Sequence, residues 1–229
     1  MQRFQGQTFW HRGDPLSLSH VSARDCRFNQ CSVRGISRGW NVFSNIHLED
    51  VSHWNCQATG AIFEDISVRN LKRTGSAPLF LNASVFRHVT LVGNIGGLKI
   101  NRSELETLVS EEDRRWRDEE VKAFYSETDW ALDISLAKFP NGATFEALPG
   151  DKIVRNRQTQ VLVRRVALEK TDWKALDYRQ SAIDIAIGWF EKGSLFDTVV
   201  IVPRSSSQYR QVDAAVIEML RREGVAEPD

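Results

Sequence analysis

The sequence predicts a mainly β chain with an α+β end: a four-sided parallel β-helix over roughly residues 16–95, then a small α+β domain. Three observations predict it. A beat of five residues runs from Leu16 to Gly75, apolar residues recur at an interval of twenty, and the beat stops near residue 101, where helical and strand-like patterns replace it. The implied organisation is residues 1–100 as the coil with its N-terminal cap and residues 101–229 as the α+β domain, beginning with a charged helix.

Cut into fives from Cys26, the chain reads CRFNQ, CSVRG, ISRGW, NVFSN, IHLED, VSHWN, CQATG, AIFED, ISVRN, LKRTG. Nine of the ten first positions are small or apolar, Asn41 being the exception, and the third position carries Phe28, Val33, Phe43, Leu48, Phe63 and Val68. A period of five fits neither a helix nor a strand. It fits a chain that turns a corner every five residues with two side chains per side pointing inward. Four sides close a coil, so residues twenty apart stack: Phe43 over Phe63 and, after a three-residue shift in "KRTGSAP", Phe86 over both. Leu48, Val68 and Leu91 form a second column, Ile46, Ile66 and Val89 a third. Phe63, in mid-column, should be almost wholly buried, and "KRTGSAP" should bulge outward. The frame lays Cys26 on Ile46, Cys31 on Val51 and Cys56 on Ile36, so no cysteine lies over another and three free thiols are expected. Arg38, His53 and Arg73 occupy third positions, where an apolar residue belongs. Their sides should be distorted or opened outward, with Arg73 in solvent.

These quintets resemble the pentapeptide-repeat family, whose repeats centre on Leu or Phe with a small residue two places before. The resemblance covers residues 16–95, under half of the chain, and departs from the pattern where Ile replaces Ala and at Arg38, His53 and Arg73. It implies a right-handed coil, a bacterial source, and a rigid stack suited to protein recognition. Some relatives mimic DNA at a topoisomerase, and they resemble long acidic rods. Residues 16–100 instead hold nine Lys+Arg against five Asp+Glu, which points away from a DNA-mimicking topoisomerase protector.

Beyond residue 101, "SELETLVSEEDRRWRDEEVKAFYSE" reads as a helix supported by the i,i+4 pairs Glu111–Arg115, Asp113–Arg117 and Asp118–Lys122, placed to cover the open end of the stack. Strands are expected in "ALDISLAKF", "ATFEAL" and "QVLVRRVAL", with "LPGD" as a turn. "ALDYRQSAIDIAIGWFEKG" carries Leu176, Ile183, Ile187 and Phe190 on one helical face and stops at Gly193. "FDTVVIVP" is a buried strand, and the last helix turns Tyr209, Val212, Val216, Met219 and Leu220 inward before Gly224.

The 229 residues balance 30 Lys+Arg against 30 Asp+Glu, so no net field steers the chain to nucleic acid or membrane. No apolar leader opens the sequence, "VVIV" is too short to span a bilayer, and three cysteines are an odd count, so a cytoplasmic protein with reduced thiols is expected. All five histidines (11, 20, 47, 53, 88) and all cysteines precede residue 101, leaving the second half without imidazole or thiol. Asp129 and Asp133 are a conceivable carboxylate pair there. "VPRSSSQYR" offers either an anion cradle beside Arg204 or a helix cap from Ser205, Ser206 or Ser207. Cys26, Cys31, Cys56 and His53 read as small or irregular core residues. No Gly-rich loop or metal-spaced cluster is present, so no catalytic, metal or cofactor-binding residue is assigned and no cofactor is expected. The expectation is a non-catalytic protein-binding or accessory protein, such as an inhibitor or a toxin-neutralising protein, its partner another protein and its binding residues unspecified. The alternative is an enzyme using carboxylates of the second half.

Overall fold

The computed structural model describes residues 1–13, 16–35, 39–102 and 110–228. The chain is mostly β, laid down as successive parallel passes, each giving a long run to one sheet and a short strand to another. The first pass holds β1 (Gln2–Gln5), β2 (Thr8–Phe9) and β3 (Arg12–Gly13), the second β4 (Ser17–Arg24), β5 (Arg27–Asn29) and β6 (Ser32–Arg34). The third holds β7 (Asn41–Trp54) and β8 (Gln57–Thr59), the fourth β9 (Ala61–Arg73) and β10 (Leu79–Asn82), the fifth β11 (Val85–Ile95) and β12 (Leu98–Asn101). β3, β6, β8, β10 and β12 lie in the six-stranded sheet and the others in the nine-stranded one.

The long runs bend because the backbone is left-handed at fixed intervals. Positive φ occurs at His20, Asp25 and Gln30, at Asn45, Asp50, Asn55, Gly60, Asp65 and Asn70, and at Ala83, His88 and Gly93. Within each group the spacing is five. Asn, Asp and Gly tolerate this conformation best, which explains the polar fifth position of the quintet. Inter-pass pairing skips these corners: β7 pairs with β9 through Ser44↔Glu64 and then Ile46↔Ile66, through Glu49↔Arg69 and then Val51↔Leu71.

Inside, the rings of Phe43, Phe63 and Phe86 stack with centroids 5.2 Å apart at both steps. Ile46, Ile66, Val89 and Leu132 line up in a second column. Phe63 is only half-buried, whereas Phe86 is buried, so the middle of the column is more open than expected. The "KRTGSAP" shift is present: His53 pairs with Arg73 but Gln57 pairs with Phe80. Its Gly75 lies so close to Trp54 that a Cβ there would fall 2.5 Å from Trp54 Cδ1.

Three expectations need correction. The interval between the second and third passes is not twenty but twenty-five, as Val21↔Ile46 and Ser32↔Gln57 show. One extra quintet precedes β7. Cys26 therefore lies beside Val51, and Cys31 beside Cys56, although all three cysteines are free. Ile36 and Arg38 lie outside the described residues. Secondly, His53 is not turned outward: β7 pairs regularly on both sides of it, and it is 2% exposed. Arg73 is half-buried, with its guanidinium donating to the Ser76 carbonyl at 2.8 Å. Thirdly, the parallel sheets do not stop at residue 100. β13 (Leu132–Lys138) pairs with β11, β14 (Ala143–Thr144) with β12 and β15 (Ile153–Val154) with β13, so one core runs through the expected boundary.

Asn41 closes the break left by the extra quintet. It is fully buried, its Oδ1 accepts from the Leu16 N–H at 2.8 Å, and its amide donates to the carbonyls of Thr59 and Gly60.

Helix α1 (Glu111–Ser126) is inserted between β12 and β13, capped by Ser110, whose Oγ accepts from Asp113 N. It covers the end of the phenylalanine column: Tyr125 is buried and its hydroxyl accepts from Phe86 N at 3.1 Å. Residues 103–109 of the expected helix lie outside the described residues. Glu111 pairs with Arg115 as expected, but Asp118 is bound by Arg102.

A second core closes the chain. β16 (Val161–Arg164) pairs antiparallel with β17 (Thr198–Ile201), and the expected "QVLVRRVAL" strand gives way after Arg164 to the short helix α2 (Arg165–Lys170). Helices α3 (Ile183–Gly193) and α4 (Arg210–Arg222) pack on this pair through Ile187, Phe190, Val216, Ile217 and Leu220. Among the described residues no helix is long and apolar enough to cross a membrane.

Replacing Asn41 by Leu would strand the Leu16 N–H in a dry site, while the carbonyls of Thr59 and Gly60 would keep the N–H groups of Gly35 and Asn41. Urea unfolding should show a loss of about 1–3 kcal/mol, the cost of one buried unsatisfied group. Phe63→Ala should cost about 3 kcal/mol, the lower end for a core aromatic, because the ring is half-buried.

Candidate functional site

A groove of about 920 Å³ runs across the passes on the face made by residues 25–29, 50–54, 70–74 and 94–96. Its floor is backbone, because Cys26, Val51 and Leu71 send their side chains into the core. Its outward residues form ladders set by the register. Arg27, Ser52 and Lys72 lie in one row, and Asn29 and Trp54 in the next. The corners Asp25, Asp50 and Asn70 edge one side, where Asn70 Nδ2 donates to Asp50 Oδ1 at 2.8 Å and Asn70 Oδ1 accepts from Asn94 N at 3.0 Å. Trp54, backed by Gly75, stands at the other side, and Pro140 and Asn141 close the far end. Asn29 Oδ1 is buried without a hydrogen-bond partner among the described residues.

No residue of this groove was specified by the sequence. The signal was the row spacing, 27, 52 and 72, which a uniform interval of twenty misaligns between its first two members.

The other candidates separate. Asp129 and Asp133 do not act as a pair: Asp129 lies against His88, while Asp133 Oδ1 accepts from Ser135 N and Oγ at 2.9 and 2.7 Å. Arg204 is committed to Asp213, with Nε 2.8 Å from Oδ2 and Nη2 2.7 Å from Oδ1, and Ser181 Oγ donates to the same carboxylate. Burial pushes the Asp213 carboxyl up, but these hydrogen bonds outweigh it and leave it below the usual range. Helix α4 begins at Arg210 with Tyr209 as its N-cap and no capping side chain, so none of Ser205, Ser206 or Ser207 caps it.

Sequence order also misplaced an imidazole. Pairing of β11 with β13 brings His88 to the second half of the chain. Its Nδ1 lies 3.2 Å from Asp65 Oδ1 and its Nε2 2.8 Å from Asp129 Oδ1, with the Trp130 ring 4.9 Å away. The site is a surface clamp with no nucleophile in the hydrogen-bonded set. Among the described residues, no three His, Cys, Asp or Glu side chains gather as a metal site.

No family model, no curated protein and no solved structure is similar enough to this chain to count as a match.

Two histidines set opposite pH limits. The hydrogen bond to Asp129 raises the His88 pKa, helped by Asp65. Its contribution is therefore full below the ordinary value near 6.5 and lost as pH rises through the raised one. Burial, then the charge of Arg73, lowers His53 to about 4. The fold thus holds it neutral, and that contribution fades as pH falls from about 6.5 toward 4. Neither ring nitrogen of His53 has a partner among the described residues. His53→Leu should raise urea midpoints at pH 8, where it removes two unpartnered nitrogens, and raise them further at pH 5, where it also removes the cost of a buried charge. Equal changes at both values would place His53 in solvent.

Proposed function

We propose that the protein is a non-catalytic, cytoplasmic binding protein whose groove takes an extended segment of another protein. The passes are read as a right-handed, four-sided parallel β-helix of the pentapeptide-repeat type. Left-handed corners five residues apart support four sides, as does one strand per pass in the smaller sheet.

The observation that carries the binding reading is the groove, because it is assembled from one short row per pass on a stiff hydrogen-bonded scaffold. An extended segment laid along the stack meets a new row every ~4.8 Å. Arg27 and Lys72 suit acidic side chains of such a segment, and Trp54 offers an aromatic anchor of the kind that dominates interfaces. An inhibitor or toxin-neutralising protein is the concrete form of this role, and the family resemblance supports a bacterial setting.

A photo-crosslinking residue at position 52, expressed in the native host, should give a discrete adduct with one protein. Trp54→Ala combined with Lys72→Glu should weaken that partner's binding at least tenfold, ~1.4 kcal/mol, with the far-UV spectrum unchanged. Adducts indifferent to both substitutions would move the binding surface elsewhere.

A further inference from the structure

The extra quintet before β7 changes which side chains meet. Ser32 pairs with Gln57, and Gln57 N donates to Cys31 O at 2.9 Å, so Cys31 and Cys56 are side by side on consecutive parallel passes. Such neighbours lie ~4.8 Å apart, within the Cα separation of ~4.4–6.8 Å that a disulfide spans. The two thiols act on one another, which raises the Cys31 pKa and lowers that of Cys56. Each thiol also faces a carbonyl, Cys31 Sγ that of Phe9 at 3.4 Å and Cys56 Sγ that of Phe28 at 3.3 Å. Cys56 is buried, but Cys31 is partly exposed, so a small oxidant reaches the pair. The pairing Arg12↔Ser32 places His11 next to Cys31 in the same column, and His11 Nε2 is buried without a partner among the described residues. Cys26 is separate: it lies beside Val51 and its thiol donates to Arg24 O at 3.2 Å.

We propose that Cys31 and Cys56 form a reversible redox site, closed to an intramolecular disulfide by a peroxide and reopened by a dithiol. The peroxide oxidises one thiol to a sulfenic acid and leaves as water. The second sulfur then attacks the first, the S–O bond breaks, an S–S bond forms, and a second water departs. Two electrons pass from the thiols to the peroxide, and both thiol protons end in water. The bond staples the second pass to the third across the inserted quintet, where the passes are twenty-five residues apart instead of twenty. It closes a loop of twenty-five residues in the unfolded chain and so favours the folded one.

The test is thiol counting on the full-length protein. Folded protein is treated with hydrogen peroxide, quenched, unfolded and alkylated. The reduced protein has three free thiols. After peroxide one should remain, at Cys26, with a single cross-linked peptide pair containing Cys31 and Cys56 that dithiothreitol separates. Cys26→Ser should retain the cross-link, whereas Cys31→Ser and Cys56→Ser should lose it. Oxidation should raise the urea midpoint of the unsubstituted chain and of Cys26→Ser only. Three thiols surviving peroxide, a bridge that includes Cys26, sulfinic acid in place of a cross-link, or disulfide-linked dimers would each overturn the proposal.

Discussion

A left-handed backbone at each fifth residue is the constraint from which the rest of the parallel structure follows. It costs a residue with a Cβ roughly 1–2 kcal/mol, least for Asn and Asp. That cost recurs at Asn45, Asp50, Asn55, Asp65 and Asn70, and at Gly60 it is absent. It is offset because each corner lets the next run pair in register with the passes on either side, satisfying backbone groups that a bent strand would otherwise leave bare. The corner residues add side-chain ladders of their own, Asn70 to Asp50 being one. Apolar columns are a consequence: once corners stack, the first and third residues of every quintet have nowhere to go but inward.

How much of this is legible in sequence depends on whether an insertion disturbs the beat. The three extra residues of "KRTGSAP" break its phase, so the offset between Phe63 and Phe86 was readable. An insertion of five keeps the phase and is invisible. The pattern of small and apolar residues around Cys26, Cys31 and Val51 looks the same whether passes are twenty or twenty-five residues apart, yet the choice decides whether Cys31 meets a valine or a cysteine. Asn41 was the trace such an insertion leaves: the polar first position among the ten quintets from Cys26, occupied because a side chain there accepts from Leu16 and donates to Thr59 and Gly60.

The second half resisted for a different reason. β13, β14 and β15 join the parallel sheets but are too short and too widely spaced to carry a beat, and a sixteen-residue helix separates them from the fifth pass. Periodicity detects a repeated rule, and these strands are held instead by particular contacts, such as Tyr125 under Phe86 and Arg102 on Asp118. His88 shows the cost of reasoning by sequence order. The second half has no imidazole of its own, yet a parallel partner forty-odd residues away brings one to Asp129.

The groove lies where the repeat rule fails. Its inner column runs from Phe9 and Phe28, stacked at 5.4 Å, to His53 and Arg73, and then meets Gly96. Aromatic packing gives way to an imidazole without partners and a cation whose neighbour has no side chain. A Cβ at Gly96 would come within 2.8 Å of Arg73 Cβ, so the glycine is what gives Arg73 room. A column that merely filled space would have continued with Phe or Leu, as its neighbour does from Phe43 to Phe86. Local rules are most often broken where a surface is put to use. Here the break lies directly beneath the face that carries Arg27, Trp54 and Lys72. The polar column leaves Arg73 within reach of the groove it lines, whereas a regular repeat would have sealed it inside.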